Sequence, residues 1–146
     1  MLKFLCFLVF VAAEASVLRT DLQWPHITHL FGSYPSATVV WSLVPSPSLN
    51  PVRGYKVKMW EQRTMVVGSM ELVNGEYIWV EKEELEPFTG EIPDWEPAQE
   101  LIVPGSSSNS ARLGNLKTNI EYEFRVQALS LRGDGPLSPA SRINFF

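Results

Sequence analysis

Apolar and polar positions alternate with a period of two along several short stretches of the chain. Tyr122, Phe124, Val126 and Ala128 are separated by Glu123, Arg125 and Gln127. That spacing predicts a strand with one face in a core and the other in water. From Ala37 to Leu43, the residues Val39, Trp41 and Leu43 share one face, and Thr38, Val40 and Ser42 share the other. From Arg53 to Trp60, Tyr55, Val57 and Met59 point inward while Lys56 and Lys58 face solvent. Gly133, Asp134, Gly135 and Pro136 mark a tight turn before a last short strand that ends in Ile143, Asn144, Phe145 and Phe146. Leu22, Trp24 and Ile27 are candidates for a first strand, which Pro25 confines to a sheet edge because proline cannot donate to a ladder. Helical periodicity is sustained nowhere. The pattern predicts an all-β protein.

Residues 61–93 carry a second kind of signal. Met65 to Val73 and Glu76 to Glu81 flank Asn74-Gly75, a dipeptide that strongly favours a two-residue hairpin turn. The carboxylates Glu81, Glu83, Glu84, Glu86, Glu91, Asp94, Glu96 and Glu100 then follow, with Lys82 the lone cation among them. Two readings are open for this acidic region. It is a solvated loop that keeps an extra hairpin soluble, or a docking surface for a basic partner with Tyr77, Trp79 and Trp95 as aromatic anchors.

The first fifteen residues read as an address. Lys3 precedes the apolar run Phe4–Val11, and Ala13-Glu14-Ala15 fits a small-x-small cleavage pattern. The run is too short to span a bilayer and suits a secretory signal peptide over 1–15, leaving a mature domain over 16–146. No second apolar run of membrane length occurs, and the chain stops at Phe146 without the apolar tail of a lipid anchor. The expected location is secreted and extracellular. Cys6, the single cysteine, lies inside the address, so the mature domain has no disulfide and must rely on burial and sheet hydrogen bonds. A net charge of −4 argues against a nucleic-acid partner.

The C-terminal part of the sequence resembles a fibronectin type III domain. Leu116 matches the family's leucine before a polar turn, Tyr122 opens its Y-x-F-x-V-x-A strand, and Gly133, Gly135, Pro136 and Ser138 match its Gly-x-Gly-Pro-x-Ser loop. Trp41 stands where the second strand carries a buried tryptophan, and Gly54-Tyr55 opens a third strand of the form G-Y-x-V. Leu101 to Gly105 is similar to the strand after that. The likeness covers 36–60 and 94–146 and omits 61–93. It implies a seven-strand, immunoglobulin-like sandwich. Residues 62–93 depart from the family as a long insertion after the third strand, expected to be dispensable for folding because loop-closure entropy changes slowly with length. Trp41, Tyr55, Leu116 and Tyr122 are then structural core, and the Tyr122 hydroxyl bonds back to backbone near Leu116. The resemblance also draws attention to Arg132-Gly133-Asp134, because the integrin-binding module of this family carries that tripeptide on the corresponding loop.

Catalytic patterns are missing. His26 and His29 would need further ligands to hold a metal, and no nucleophile elbow, phosphate cradle or zinc-protease helix occurs. The expectation is a non-enzymatic, cofactor-free and metal-free module that binds an extracellular or cell-surface protein, related to adhesion molecules or receptors. The alternatives are an integrin ligand acting through Arg132, Gly133 and Asp134, a soluble decoy related to cytokine receptors, and a sandwich-fold enzyme inhibitor. The decoy lacks the W-S-x-W-S segment expected between Ser138 and Phe146.

Overall fold

A computed structural model describes residues 21–146, and the proposed signal peptide lies outside the described residues. Ten strands follow in order: β1 (Ile27–Ser33), β2 (Ser36–Trp41), β3 (Gly54–Glu61), β4 (Thr64–Val73), β5 (Glu76–Leu85), β6 (Gln99–Pro104), β7 (Ser110–Leu113), β8 (Glu121–Ser130), β9 (Gly133–Asp134) and β10 (Ser141–Asn144). One sheet has the order β1-β2-β7. The other has the order β10-β8-β3-β6, with the two-residue β9 added to β8. These two sheets form the seven-strand sandwich. The hairpin β4–β5 is a separate two-stranded sheet inserted after the third strand.

The long β3–β8 pair is the spine of the larger sheet. Tyr55 lies opposite Ala128, Val57 opposite Val126, Met59 opposite Phe124, and Glu61 opposite Tyr122. The inward residues meet Ala37, Val39 and Trp41 of β2 and Leu113 of β7 in one core. Trp41 and Tyr55 pack with ring centroids 5.6 Å apart. Leu43 departs from the alternation. The strand ends at Trp41, Leu43 turns outward, and Val44 enters the core instead. The buried Tyr55 hydroxyl accepts a 3.0 Å bond from the Val44 amide and so fixes this exit. The first strand begins at Ile27 and lies at a sheet edge, with a register irregularity between Ile27 and His29.

The tyrosine bond takes the expected form. The Tyr122 hydroxyl accepts a 2.7 Å bond from the amide of Lys117, next to the buried Leu116. The Leu116 amide donates to the carbonyl of Pro35 at 2.9 Å, which ties the β7–β8 connection to the β1–β2 turn.

The outer face of β8 differs from the simple alternation. Glu123, Arg125 and Gln127 are 0%, 5% and 6% exposed, although period-two patterning places them in water. The segment after β5 and the chain after β9 cover them. Arg125 donates to Glu123 at 3.2 Å, to the carbonyl of Ser138 at 3.3 Å and to the carbonyl of Gly90 at 3.0 Å. Arg142 of β10 donates to the same Glu123 carboxylate at 3.2 Å. The buried carboxylate is therefore held by two guanidinium groups, the arrangement that makes a buried charge tolerable. Phe88 and Gly90 of the insertion thus contact the arginines of the larger sheet, whereas the hairpin β4–β5 forms a sheet of its own.

Three stability outcomes follow from this packing. Trp41→Ala should lower unfolding free energy by about 3–5 kcal/mol, as measured by chemical denaturation. Tyr122→Phe should cost about 1 kcal/mol because the Lys117 amide loses its acceptor. Burial pushes the Tyr122 phenol above its ordinary value of 10.0. A raised folded-state pKa gives stability that is present below the unfolded value and lost as pH rises through the folded one. Stability should therefore decline in alkaline solution above pH 10.0, and less steeply in Tyr122→Phe.

Candidate functional site

The hairpin is built by its own turn. Asn74 and Gly75 have φ values of 51° and 83°, the two successive positive angles that a two-residue turn of matching twist requires. The register runs without a break from Thr64 opposite Leu85 to Val73 opposite Glu76. Directly opposed residues share a face, so Met70 with Trp79, Leu72 with Tyr77, and Val66 with Glu83 lie on one side. The Trp79 ring rests over Gly68, where any side chain would collide with it. Its Nε1 donates to Glu81 at 3.2 Å.

Much of this apolar surface is in solvent. Tyr77 is 71% exposed, Val66 64%, Trp79 61%, Leu72 61% and Met70 56%. Core closure therefore does not involve Val66, Leu72, Tyr77 or Trp79. Lys82 of β5 pairs with Glu71 of β4 at 3.0 Å.

Trp95 is placed differently from Tyr77 and Trp79. It is half-buried, its Nε1 donates to the Glu61 carbonyl at 3.1 Å, and its own carbonyl accepts from Trp60 Nε1 at 2.8 Å. Phe88 stacks on it with ring centroids 5.8 Å apart. The Arg63 guanidinium lies 4.3 Å from the ring centroid, paired with Glu86 and, at 3.1 Å, with Asp94. The Arg63 hydrogen bond holds the Glu86 carboxyl below the usual range, and Glu86 in turn raises Arg63. Glu86, Phe88, Ile92, Asp94 and Trp95 line a cavity of about 180 Å³ at this base. The residues form a clamp where the hairpin joins the sandwich. Phe88 and the Glu123–Arg125–Arg142 network were not marked by the sequence pattern. The one available signal was an aromatic isolated in an acidic stretch.

Arg132 lies in the turn from β8 to β9, and Gly133 and Asp134 form β9. Gly133 has φ 130°, an angle that side chains disfavour, and its carbonyl accepts a bond from Ser130 Oγ at 2.9 Å. Arg132 is exposed, whereas the Asp134 carboxylate pairs with Lys56 of β3 at 3.0 Å. This turn lies beside Gly54 and Leu129, at the end of the sheet away from Glu61, where the hairpin departs. With eight residues in β3, the two candidate surfaces are about 25 Å apart along the strand. His26 and His29 have no third metal-binding side chain grouped with them among the described residues. No helix in the described residues is long and apolar enough to cross a membrane.

The strand order, the bonded tyrosine and the Gly-Pro loop define an antiparallel sandwich module with an added hairpin. The model of the fibronectin type III domain matches residues 26–144, and the chain belongs to that family. It is similar to Contactin of Drosophila melanogaster, at 29% identity over 127 residues; these make up 86% of this chain but 7% of that relative. Among solved structures it is similar to the third fibronectin III domain of human KIAA0343 protein, with 18% identity, a TM-score of 0.48 and 86% and 84% of the two chains covered. It is likewise similar to the sixth fibronectin type III domain of human fibronectin type III domain containing protein 3. There the identity is 20%, the TM-score 0.48, and the coverage 86% and 87%.

The clamp separates the hairpin from the fold proper. The Glu86 amide already donates to the Arg63 carbonyl at 2.8 Å, so a short turn can join these residues in place of Thr64–Leu85. That deletion should leave a single cooperative transition with a similar denaturation midpoint. Phe88→Ala should lower the midpoint by about 3 kcal/mol equivalent, because it uncovers the buried network.

Proposed function

We propose that this chain is a secreted protein-binding module of the adhesion or receptor type, which makes its contact through the β4–β5 hairpin and catalyses no reaction. The observation that carries this reading is the exposed face of Val66, Met70, Leu72, Tyr77 and Trp79 on a ribbon that packs into no core. An exposed apolar patch rimmed by polar residues is characteristic of an interaction site, and exposed Tyr and Trp are the residue types that anchor one. Glu81, Glu83 and Glu84 beside it favour a partner with a basic surface. The signal-like residues 1–15 support secretion, with Ser16 as the mature N-terminus, and the likeness to Contactin supports an extracellular adhesion setting.

The Lys56–Asp134 pair supports a structural role for the second candidate surface, since it occupies the carboxylate that an integrin-bound cation would need. Binding of the purified chain to cultured cells tests both surfaces. Tyr77→Ser with Trp79→Ser should weaken binding by about thirtyfold, the scale of an interface hot spot, while Asp134→Glu should leave it unchanged. Binding that survives the hairpin substitutions overturns the proposal. Cation-dependent binding lost on Asp134→Glu would transfer the function to the Arg132-Gly133-Asp134 turn.

A further inference from the structure

The two edges of the hairpin are unlike each other. β5 carries Glu76, Glu81, Lys82, Glu83 and Glu84, a density of charge that protects an open edge from pairing. β4 reads T-M-V-V-G-S-M-E-L-V, with Glu71 its only charge and no proline or lysine. Among the described residues β4 pairs with β5 alone, so alternate amides and carbonyls along ten residues face outward without a strand partner. Two strands make a marginal sheet in water, and a third is normally needed for independent stability. The unprotected edge is where that strand can be added.

We infer that the occupant is a second copy of this chain, with β4 pairing antiparallel to β4 across a two-fold axis near Gly68. This rests on the reading of the hairpin as the contact element and names one partner for its edge. The axis must stand perpendicular to the sheet so that like faces join. It then sets Val66 beside Met70 of the second copy and Thr64 beside Leu72 of the second copy. Small residues, Gly68 and Ser69, lie at the centre where the strands approach. Charge favours this pairing. Glu71 falls opposite Met65 of the second copy, so the two Glu71 carboxylates are six residues, or about 20 Å, apart along the strands. That exceeds the screening length of about 8 Å at physiological ionic strength. The resulting order β5-β4-β4-β5 also keeps the acidic strands outermost. Pairing through β5 would instead join two strands that each carry Glu76, Glu81, Glu83 and Glu84. The four-stranded sheet presents the apolar face of each hairpin side by side and doubles the docking surface.

Sedimentation velocity of the purified chain over a wide concentration range tests the inference. The mass should double as concentration rises. One variant carries Val66→Lys with Met70→Lys, and a second carries Val66→Glu with Met70→Glu. Each should remain monomeric, because like charges then face each other across the axis. An equimolar mixture should recover the dimer. Unchanged denaturation midpoints show that both variants fold. A parent chain that stays monomeric at every concentration overturns the inference, as does a dimer that persists in either variant alone. Mass is read without any cell-surface partner, so this result stands apart from the binding test of Tyr77 and Trp79. A monomer whose cell binding still depends on Tyr77 and Trp79 would refute self-pairing and leave the hairpin's role intact.

Discussion

The pairing of β3 with β8 is the constraint on which the other parts of the molecule depend. Its inner face carries the large side chains, from Tyr55 to Phe124, that meet Trp41 across the sandwich. Its outer face is also closed, over Glu123, Arg125 and Gln127. A sheet buried on both sides needs its polar residues satisfied internally: the two arginines hold Glu123, and the Gln127 amide nitrogen donates to the Gly135 carbonyl at 2.8 Å. β3 then hands the chain to the hairpin at Glu61, and β8 hands it to the Arg132-Gly133-Asp134 turn. Both candidate surfaces are thus mounted on the ends of one rigid strand pair.

The base of the hairpin shows how an insertion can be carried without disturbing the domain. Arg63 and Glu86 meet as the ribbon leaves and returns, and Trp95 is held to the third strand by two bonds, from its indole to the Glu61 carbonyl and from the Trp60 indole to its own carbonyl. Beyond this clamp the ribbon has only its own ladder and turn. Below it, Phe88 and Gly90 have been recruited into covering the sheet. The same thirty-odd residues therefore do two physically distinct jobs, and the boundary between them falls at Glu86.

Much of the fold was legible because its determinants are local. Tyr122 with its alternating successors, Asn74-Gly75 and the Gly-Pro turn each specify backbone geometry within a few residues, and the structure follows them. What was not legible depends on non-local cover. Period-two alternation distinguishes the faces of a strand but not whether the second face meets water, so Glu123, Arg125 and Gln127 read as solvated. Leu43 read as buried because the pattern cannot register where a strand stops. Tyr77 and Trp79 were legible as exposed aromatics on a hairpin. The structural placement of Trp95 was not, since its ring is fixed by Arg63 and the Glu61 carbonyl, which are distant in sequence.

The five tryptophans give the molecule a built-in optical record of its separate layers. Trp41 and Trp60 are buried, Trp95 is stacked under a guanidinium, and Trp24 and Trp79 are 50% and 61% exposed. Their emission should therefore combine apolar and aqueous components. Covering the hairpin blue-shifts the aqueous component through Trp79 and leaves the apolar one in place. Loss of the sandwich does the reverse through Trp41 and Trp60. Occupation of the ribbon and melting of the body are thus spectrally separable in the unlabelled protein.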